Sequence, residues 1–215
     1  MTYFFLALFS SFLLSCSSST SVTITETPDP PPVSGKPDYT LLFIGNSLTY
    51  SNNLPALVEN VAKQKNIHIK TKLIAKGNYA IIDHWNDGVI QEEIKKGIYD
   101  FVIFQQGPSS QPYGREVLID YGRRLTDLCQ KNNAKLAYFM VWPSRNYYHT
   151  FDGVIKNHRD AAEINKSILL PVGEVWKAYF DSTNTFDYYI KDGFHPSLKG
   201  SQVAAEVIVK HLFKL

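Results

Sequence analysis

The stretch YTLLFIGNSLTY, residues 39–50, decides the fold of this chain. Its first six residues form a short apolar run, which is typical of a strand buried on both faces. Gly45 and Asn46 end the run, and apolar residues recur at helical spacing from Leu54 onward. A buried strand that leads through a tight turn into a helix is the repeating unit of α/β proteins.

Apolar strands and amphipathic helices continue to alternate along the rest of the chain. The sequence predicts further strands at residues 67–74, 99–104, 135–141 and 168–171, and helices at residues 113–131, at residues 197–212 and in a segment that ends at residue 166. Such alternation indicates a parallel sheet covered by helices on both faces. Ligands bind such a sheet beyond the carboxyl ends of its strands, so functional residues are expected in the turns that follow them.

Ser47 follows the first strand directly, at the turn into the helix. In that place its hydroxyl can face solvent, and its backbone N–H can point at a negatively charged oxygen. Gly-Asn-Ser is also ordinary turn chemistry. The serine therefore indicates catalysis only if the chain also supplies a base.

A candidate base lies near the other end of the chain, in the motif DGFHPS, residues 192–197. His195 can accept the proton of a serine hydroxyl at neutral pH. Asp192 can hold the other ring nitrogen and stabilise the imidazolium. The alternative is an Asp-Gly turn followed by a histidine at a helix entry. Together with Ser47, the motif predicts a Ser–His–Asp triad.

Over residues 39–215 the chain resembles the SGNH, or GDSL-like, hydrolase superfamily. The turn at residues 45–48 resembles the first block of that family, with Asn46 where many members have Asp. Asp192 and His195 resemble its last block, an Asp-x-x-His pattern. The resemblance implies a flavodoxin-like three-layer α/β/α sandwich with a central parallel sheet of about five strands. It also implies Ser47 as nucleophile, His195 as base and Asp192 as the carboxylate that orients the base.

The family resemblance also implies an oxyanion hole, the set of donors that stabilises the negative oxygen of the reaction intermediate. The backbone N–H of Ser47 would be one donor. Gly77, after the second strand, is the match to the glycine of the family's second block. The alternative interpretation of Gly77 is a turn glycine.

The third block of the family is less clear in this chain, because it normally supplies an Asn side chain to the oxyanion hole. Alignment on Gly107 places Ser109 where that Asn belongs. The carboxamide of Gln105 is the expected replacement, with Gln106 and Ser109 as open alternatives. The Gln-bearing block resembles a divergent bacterial lipoprotein subgroup of the superfamily.

The first 37 residues are expected to lie outside the folded domain. Residues 1–14 are almost all apolar, and LLSC at residues 13–16 resembles a bacterial lipobox. The sequence thus predicts a lipoprotein signal peptide at residues 1–15 and a lipid on Cys16; a plain signal peptide or a buried strand is the alternative. Residues 16–37, rich in Ser and Thr, hold five of the 11 prolines, which predicts an extended tether.

The hydrolase domain is then expected to span residues 38–215. A lipid on Cys16 would anchor this domain in the bacterial cell envelope, facing the periplasm or the surface; without the lipid the chain would be secreted. The membrane is therefore an expected partner of the chain, while its oligomeric state stays open.

The amino-acid composition argues against several classes of protein. A hydrophobic share of 44% argues against intrinsic disorder, and a dispersed net charge of +2 argues against a nucleic-acid partner. Cys16 and Cys129 are too few for a disulfide framework or a cysteine metal site. No two histidines have the spacing of a zinc protease. Neither a metal nor a cofactor is expected.

The resemblance and the expected anchor together imply a serine esterase that hydrolyses acyl esters through an acyl-enzyme on Ser47. The expected acyl group is acetyl, and the expected substrate is a small-molecule or glycan ester. A lipase or thioesterase of the same fold is the alternative within this class. A catalytically weak glycan-binding lipoprotein is the alternative outside it.

Overall fold

A computed structural model describes residues 35–215. The predicted signal peptide, Cys16 and most of the predicted tether lie outside the described residues. Within residues 35–215, no helix combines the length and the hydrophobicity that crossing a bilayer requires.

The centre of the fold is a parallel sheet of five strands. These are β1 (Tyr39–Gly45), β2 (Ile69–Ala75), β3 (Phe101–Phe104), β4 (Lys135–Phe139) and β5 (Ile168–Leu170). All neighbouring strands run parallel, in the order β2-β1-β3-β4-β5. This is the flavodoxin-like order, so the predicted α/β fold class is confirmed.

Eight helices lie among the described residues. They are α1 (Ser47–Tyr50), α2 (Leu54–Gln64), α3 (Ile81–Asp87), α4 (Val89–Ile94), α5 (Pro112–Lys131), α6 (Phe151–Ile164), α7 (Val172–Thr183) and α8 (Leu198–Phe213). The sequence did not predict α1, α3, α4 and α7. Three of these are only four, seven and six residues long, which is too short for a clear 3.6-residue periodicity.

The sheet separates two hydrophobic cores, because successive strand residues point to opposite faces. Leu41 and Phe43 of β1 join the core that α2 and α8 cover. Leu42 and Ile44 join the core that α4 and α5 cover. All four side chains are fully buried. This burial explains why the opening stretch of the domain is apolar without alternation.

The strand order also locates the ligand-binding edge. The chain leaves β1 towards β2 on one side of the sheet and leaves β3 towards β4 on the other. The carboxyl ends of β1 and β3 therefore form a topological switch point, where open α/β sheets leave a crevice. Ser47 follows β1 and Gln105 follows β3.

Candidate active site

The structure brings Ser47, His195 and Asp192 into one hydrogen-bonded relay. The hydroxyl of Ser47 lies 2.9 Å from Nε2 of His195. Nδ1 of His195 donates to Oδ2 of Asp192 at 2.7 Å. The two ring nitrogens thus contact the two partners that a general base needs, one to take the proton and one to stabilise the resulting charge.

Asp192 is held as a carboxylate by its own loop. Its Oδ1 accepts the backbone N–H groups of Phe194 at 2.8 Å and His195 at 3.0 Å. Partial burial of Asp192 opposes ionisation, but the hydrogen bonds from His195 and the two backbone groups outweigh it and lower the pKa of this carboxyl below its usual range. Gly193, at φ +68°, permits the tight turn that aims both oxygens.

The turn that carries Ser47 is fixed by Asn46. The Asn46 side chain caps α1 by accepting the N–H of Leu48 at 3.1 Å. Its amide nitrogen donates to the backbone oxygen of Tyr79 at 3.0 Å, which ties the loop after β2 to the nucleophile. The backbone N–H of Ser47 has no partner among the described residues. It is therefore free to bind an oxyanion.

Gln105 lies directly beneath this turn and is fully buried. Its Oε1 accepts the N–H of Asn46 and the hydroxyl of Thr49, both at 3.0 Å. The fit requires glycine at position 45, because a Cβ there would lie 2.3 Å from Oγ1 of Thr49 and 2.7 Å from Oε1 of Gln105. Gln105 thus joins the ends of β1 and β3 and supports the segment that bears Ser47.

This contact differs from the expectation that Gln105 presents its amide to the oxyanion. The oxygen is turned towards two donors, and Nε2 is enclosed without a hydrogen-bond partner among the described residues. The contact with the Asn46 N–H fixes which end of the carboxamide is oxygen, since only an oxygen can accept there. In this arrangement the contacts of Gln105 hold the turn in place.

The two open alternatives at the third block have different surroundings. Oε1 of Gln106 accepts the N–H of Ile81 at 2.7 Å, and its amide nitrogen is neither hydrogen-bonded to a described residue nor enclosed. Ser109 faces α5 instead, where its hydroxyl accepts the N–H of Gln111 at 3.2 Å. Of the three side chains, Gln106 has the most available donor.

Gly77 lies in the exposed loop that the Asn46 side chain ties to the nucleophile turn. Its backbone N–H makes no hydrogen bond to a described residue. A Cβ at this position would lie 3.4 Å from the hydroxyl of Tyr50, so Tyr50 and Gly77 are neighbours across the turn. The placement is compatible with the expected role of Gly77 as a second backbone donor.

Two further residues organise the site, and the sequence analysis did not identify them. Asn52 has a left-handed backbone (φ 55°), and its amide donates to the backbone oxygen of Pro196 at 3.0 Å and to the hydroxyl of Ser201 at 2.9 Å. Asn52 thereby links the nucleophile segment to the loop of His195. The signal in the sequence is the Asn52-Asn53 pair, since Asn tolerates this backbone conformation.

His84 is the second such residue. It lies in α3 and is buried, and its Nε2–H donates to the backbone oxygen of Gly45 at 2.8 Å. Burial lowers its pKa, so the imidazole is neutral and can act as a fixed donor to the end of β1. The sequence offers no signal for this role, because it depends on a contact between β1 and a short helix.

Trp142, after β4, belongs to the core. It is fully buried and stacked on Trp176 with ring centroids 3.5 Å apart. Its indole N–H donates to the backbone oxygen of Phe194 at 3.0 Å. Trp142 therefore supports the loop of Asp192 and His195 from within.

Comparison with known proteins identifies the fold. No family model and no curated protein matches the chain. Among solved structures, a proposed SGNH hydrolase from Slackia heliotrinireducens has a TM-score of 0.64 at 22% identity, over 81% of this chain and 98% of that one. A lipase/acylhydrolase from Enterococcus faecalis has a TM-score of 0.64 at 12% identity, over 81% and 95% of the two chains.

A catalytic mutant of Axe2, an acetylxylan esterase from Geobacillus stearothermophilus, has a TM-score of 0.58 at 17% identity, over 82% of this chain and 94% of that one. All these identities are low, so the likeness establishes architecture. The chain has the fold of the SGNH/GDSL-like hydrolases.

Proposed function

We propose that this protein is a serine esterase that removes acyl groups, in the first place acetyl groups, from carbohydrates. The observation that carries the proposal is the continuous relay from Ser47 through His195 to Asp192, with distances of 2.9 Å and 2.7 Å. The relay lies at the switch point of the sheet, next to two backbone N–H groups that have no partner among the described residues. A nucleophile, a base and oxyanion donors are the parts that acyl transfer requires.

The reaction follows from this arrangement. Ser47 Oγ attacks the ester carbonyl carbon while its proton passes to Nε2 of His195, and the imidazolium is stabilised by Asp192. The N–H groups of Ser47 and Gly77 receive the negative oxygen of the tetrahedral intermediate. Collapse expels the alcohol, which takes the proton from His195, and leaves an acyl-enzyme. Water, deprotonated by His195, then releases the acid and restores Ser47.

The third donor of the oxyanion hole is expected to come from Gln105 or Gln106. Gln105 holds the nucleophile turn through its oxygen, so we assign it a positioning role. The open amide of Gln106 is the stronger candidate for a side-chain donor. Two backbone donors and one carboxamide would give the hole the same number of donors as the pattern that the sequence resembles.

The carbohydrate ester is the favoured substrate because uncharged hydroxyl and amide side chains, including Ser110, Ser144 and Asn146, line the cavity beside the relay. The solved structures with this fold include an acetylxylan esterase and a lipase/acylhydrolase, so the fold itself does not separate the two substrate classes. A lipase or thioesterase is the alternative within the same chemistry.

Hydrolysis of 4-nitrophenyl esters tests the proposal. We expect turnover of the acetate to exceed that of the octanoate, and Ser47→Ala to reduce turnover to background. Ser51→Ala is the matched control, because Ser51 lies four residues along and its hydroxyl makes no hydrogen bond to a described residue. A folded wild-type protein that hydrolyses none of these esters would remove the enzyme proposal. Octanoate preference would favour the lipase alternative.

We also propose that Cys16 carries the lipid that anchors the enzyme to the bacterial envelope. The proposal rests on the sequence of residues 13–16 and the Pro-rich segment behind it. Cys16→Ala should move the protein from the membrane pellet to the soluble fraction without changing its hydrolytic rate. If the variant stays in the membrane pellet as the wild type does, a lipid anchor on Cys16 is contradicted.

A further inference from the structure

A cavity borders the catalytic relay. It has a volume of about 600 Å³ and lies between the loop after β3 and the loop after β4. Asp192 and Phe194 form the wall that it shares with the catalytic loop. Since Asp192 contacts His195 on the side away from Ser47, the cavity begins beyond the carboxylate and not at the scissile bond. Its size lies within the range of small-ligand sites, about 300–1,000 Å³.

The lining of this cavity combines apolar surface, from Pro108, Pro143 and Phe194, with polar side chains that carry no free charge. Apart from Asp192, the polar side chains around it are hydroxyls and amides, from Ser109, Ser110, Gln111, Ser144, Asn146, Tyr147 and Thr150. The Asp192 carboxylate is already engaged, since its oxygens accept three hydrogen bonds from the catalytic loop. No lysine or arginine lines the cavity to attract an anion. An acyl chain would leave these polar groups without hydrogen bonds, at a cost in free energy.

Several of these polar groups have no hydrogen-bond partner among the described residues. The side chains of Ser144 and Asn146 and the hydroxyl of Tyr147 make no hydrogen bond to a described residue, and all three lie on the loop after β4. Tyr147 is 63% exposed, although it is a large aromatic residue. A flat apolar ring beside uncharged donors and acceptors matches the surface of a sugar ring, which has C–H faces and hydroxyl edges.

The opposite wall of the cavity is rigid. The buried Asn157 donates to the backbone oxygens of Ser109 at 2.8 Å and Gln111 at 3.2 Å. Gly153 lets α6 approach this loop closely, because a Cβ there would lie 2.6 Å from Cβ of Ser110. The wall is thus held in place without a ligand, which reduces the ordering cost of binding.

We propose that this cavity is a subsite for an uncharged sugar unit adjacent to the one that carries the ester. Tyr147 stacks on the sugar ring, and Ser144 and Asn146 bind its hydroxyls. The inference rests on the esterase function proposed above and adds the part of the substrate that the enzyme recognises. It makes the preferred substrate an acetylated oligosaccharide and not an acetylated monosaccharide or a lipid.

The test compares substrates of different length on paired variants. The wild-type enzyme is assayed with 4-nitrophenyl acetate and with acetylated mono- and trisaccharides of xylose, glucose and mannose. We expect at least one trisaccharide to have a kcat/KM about tenfold above its monosaccharide. Tyr147→Ala should remove that gain by raising KM about tenfold, the scale of one lost aromatic contact, while 4-nitrophenyl acetate turnover is unchanged.

Tyr113→Ala is the matched control, since Tyr113 is 69% exposed and lies outside the cavity. Asn146→Ala is a second variant and should weaken the trisaccharide in the same direction. A trisaccharide gain that survives both cavity variants would overturn the subsite, as would the absence of any gain while 4-nitrophenyl acetate is hydrolysed.

If the wild type hydrolyses no ester, the esterase proposal fails, and calorimetry with the three unmodified trisaccharides then tests the cavity directly. Binding that Tyr147→Ala abolishes would support the sugar subsite, and no binding would overturn it.

Discussion

Buried polar groups at the two ends of the sheet differ in how completely they are hydrogen-bonded. Towards the amino end, the buried carboxylate of Glu93 accepts from Lys72 at 2.8 Å, from Lys96 at 2.7 Å and from the hydroxyl of Tyr99. At the carboxyl end, the enclosed amide nitrogen of Gln105 has no partner among the described residues. We call the first group the Glu93 cluster and the second end the relay end.

The difference distinguishes a self-contained structural cluster from the site that we propose to be catalytic. In the Glu93 cluster the buried carboxylate has three donors from the protein itself, so it needs no further partner. At the relay end, the N–H groups of Ser47 and Gly77 are also without partners among the described residues. Both residues are at least partly exposed beside the hydrogen-bonded serine and histidine, so their N–H groups are available to a ligand. The contrast agrees with the proposed function, which places catalysis at the relay end and a stabilising role in the Glu93 cluster.

The largest expected effect comes from the carboxylate of the relay. Asp192→Asn should lower kcat by about 10⁴-fold, because an amide neither selects the required imidazole tautomer nor stabilises the imidazolium. Ester hydrolysis under saturating substrate measures this loss. Asp187→Asn is the matched control, since Asp187 is exposed to the same degree but pairs with Lys199. Equal losses in the two variants would mean that Asp192 is only a turn residue.

The next effect tests the support beneath the nucleophile. Gln105→Leu should lower kcat by about 10–100-fold with little change in KM, because the Asn46 N–H and the Thr49 hydroxyl lose their shared acceptor. Thr49→Val should cost less, since Gln105 would still hold Asn46. The kcat and KM of each variant on 4-nitrophenyl acetate distinguish positioning from binding.

Gln106→Leu is the companion variant for Gln105. A larger loss of kcat in Gln106→Leu than in Gln105→Leu would place the oxyanion donor at Gln106. Gln105 would then position the turn, and Gln106 would bind the oxyanion. If neither variant loses activity, backbone donors alone hold the oxyanion and the positioning role of Gln105 is wrong.

A smaller effect is expected at the link between the two catalytic segments. Asn52→Gly keeps a residue that tolerates the left-handed backbone but removes the amide that binds Pro196 and Ser201. We expect kcat to fall about tenfold, the scale of one or two lost hydrogen bonds. Asn53→Gly is the control, because Asn53 has the same backbone conformation (φ 52°) and its side chain caps nothing. Equal activity of the two variants would contradict the link.

The smallest effect on catalysis is expected in the Glu93 cluster. Glu93→Gln should leave kcat unchanged and lower the free energy of unfolding by about 1–3 kcal/mol at pH 7. Burial opposes ionisation of Glu93, but the hydrogen bonds from Lys72, Lys96 and Tyr99 outweigh it and lower its pKa from 4.5 to about 2.

The sign of the pH dependence follows from that lowered pKa. The stability that Glu93 adds is complete above about pH 4.5 and is lost as the pH falls towards 2. Urea unfolding of both proteins at pH 7, 5, 4 and 3 should therefore give curves that converge in acid. A constant difference between them would show that the charge of Glu93 is not the stabilising feature.

The parts of the fold with strong local patterns could be predicted from the sequence. All five strands were expected within three residues of their observed ends, because each buried strand is a compact apolar run. The short helices α3 and α4 were missed, and with them the contact of His84 with Gly45. Such contacts depend on how distant segments pack, and single-sequence patterns do not carry that information.

Part of the candidate site could likewise be predicted from the sequence, and part could not. Ser47, Asp192 and His195 lie in motifs with local turn chemistry, and the structure brings them together. The direction of the Gln105 side chain could not be read from its motif. It is set by the close approach at Gly45, 60 residues earlier in the chain, where the missing Cβ makes room for the carboxamide.

The central claim is that His195 and Asp192 activate Ser47 as a nucleophile. Covalent labelling with a fluorophosphonate probe, followed by mass spectrometry of the labelled peptide, tests it most directly. The account predicts one label, on Ser47, that is absent in Ser47→Ala and strongly slowed in His195→Ala. A label on another serine, or equal labelling of folded Ser47→Ala, would contradict it.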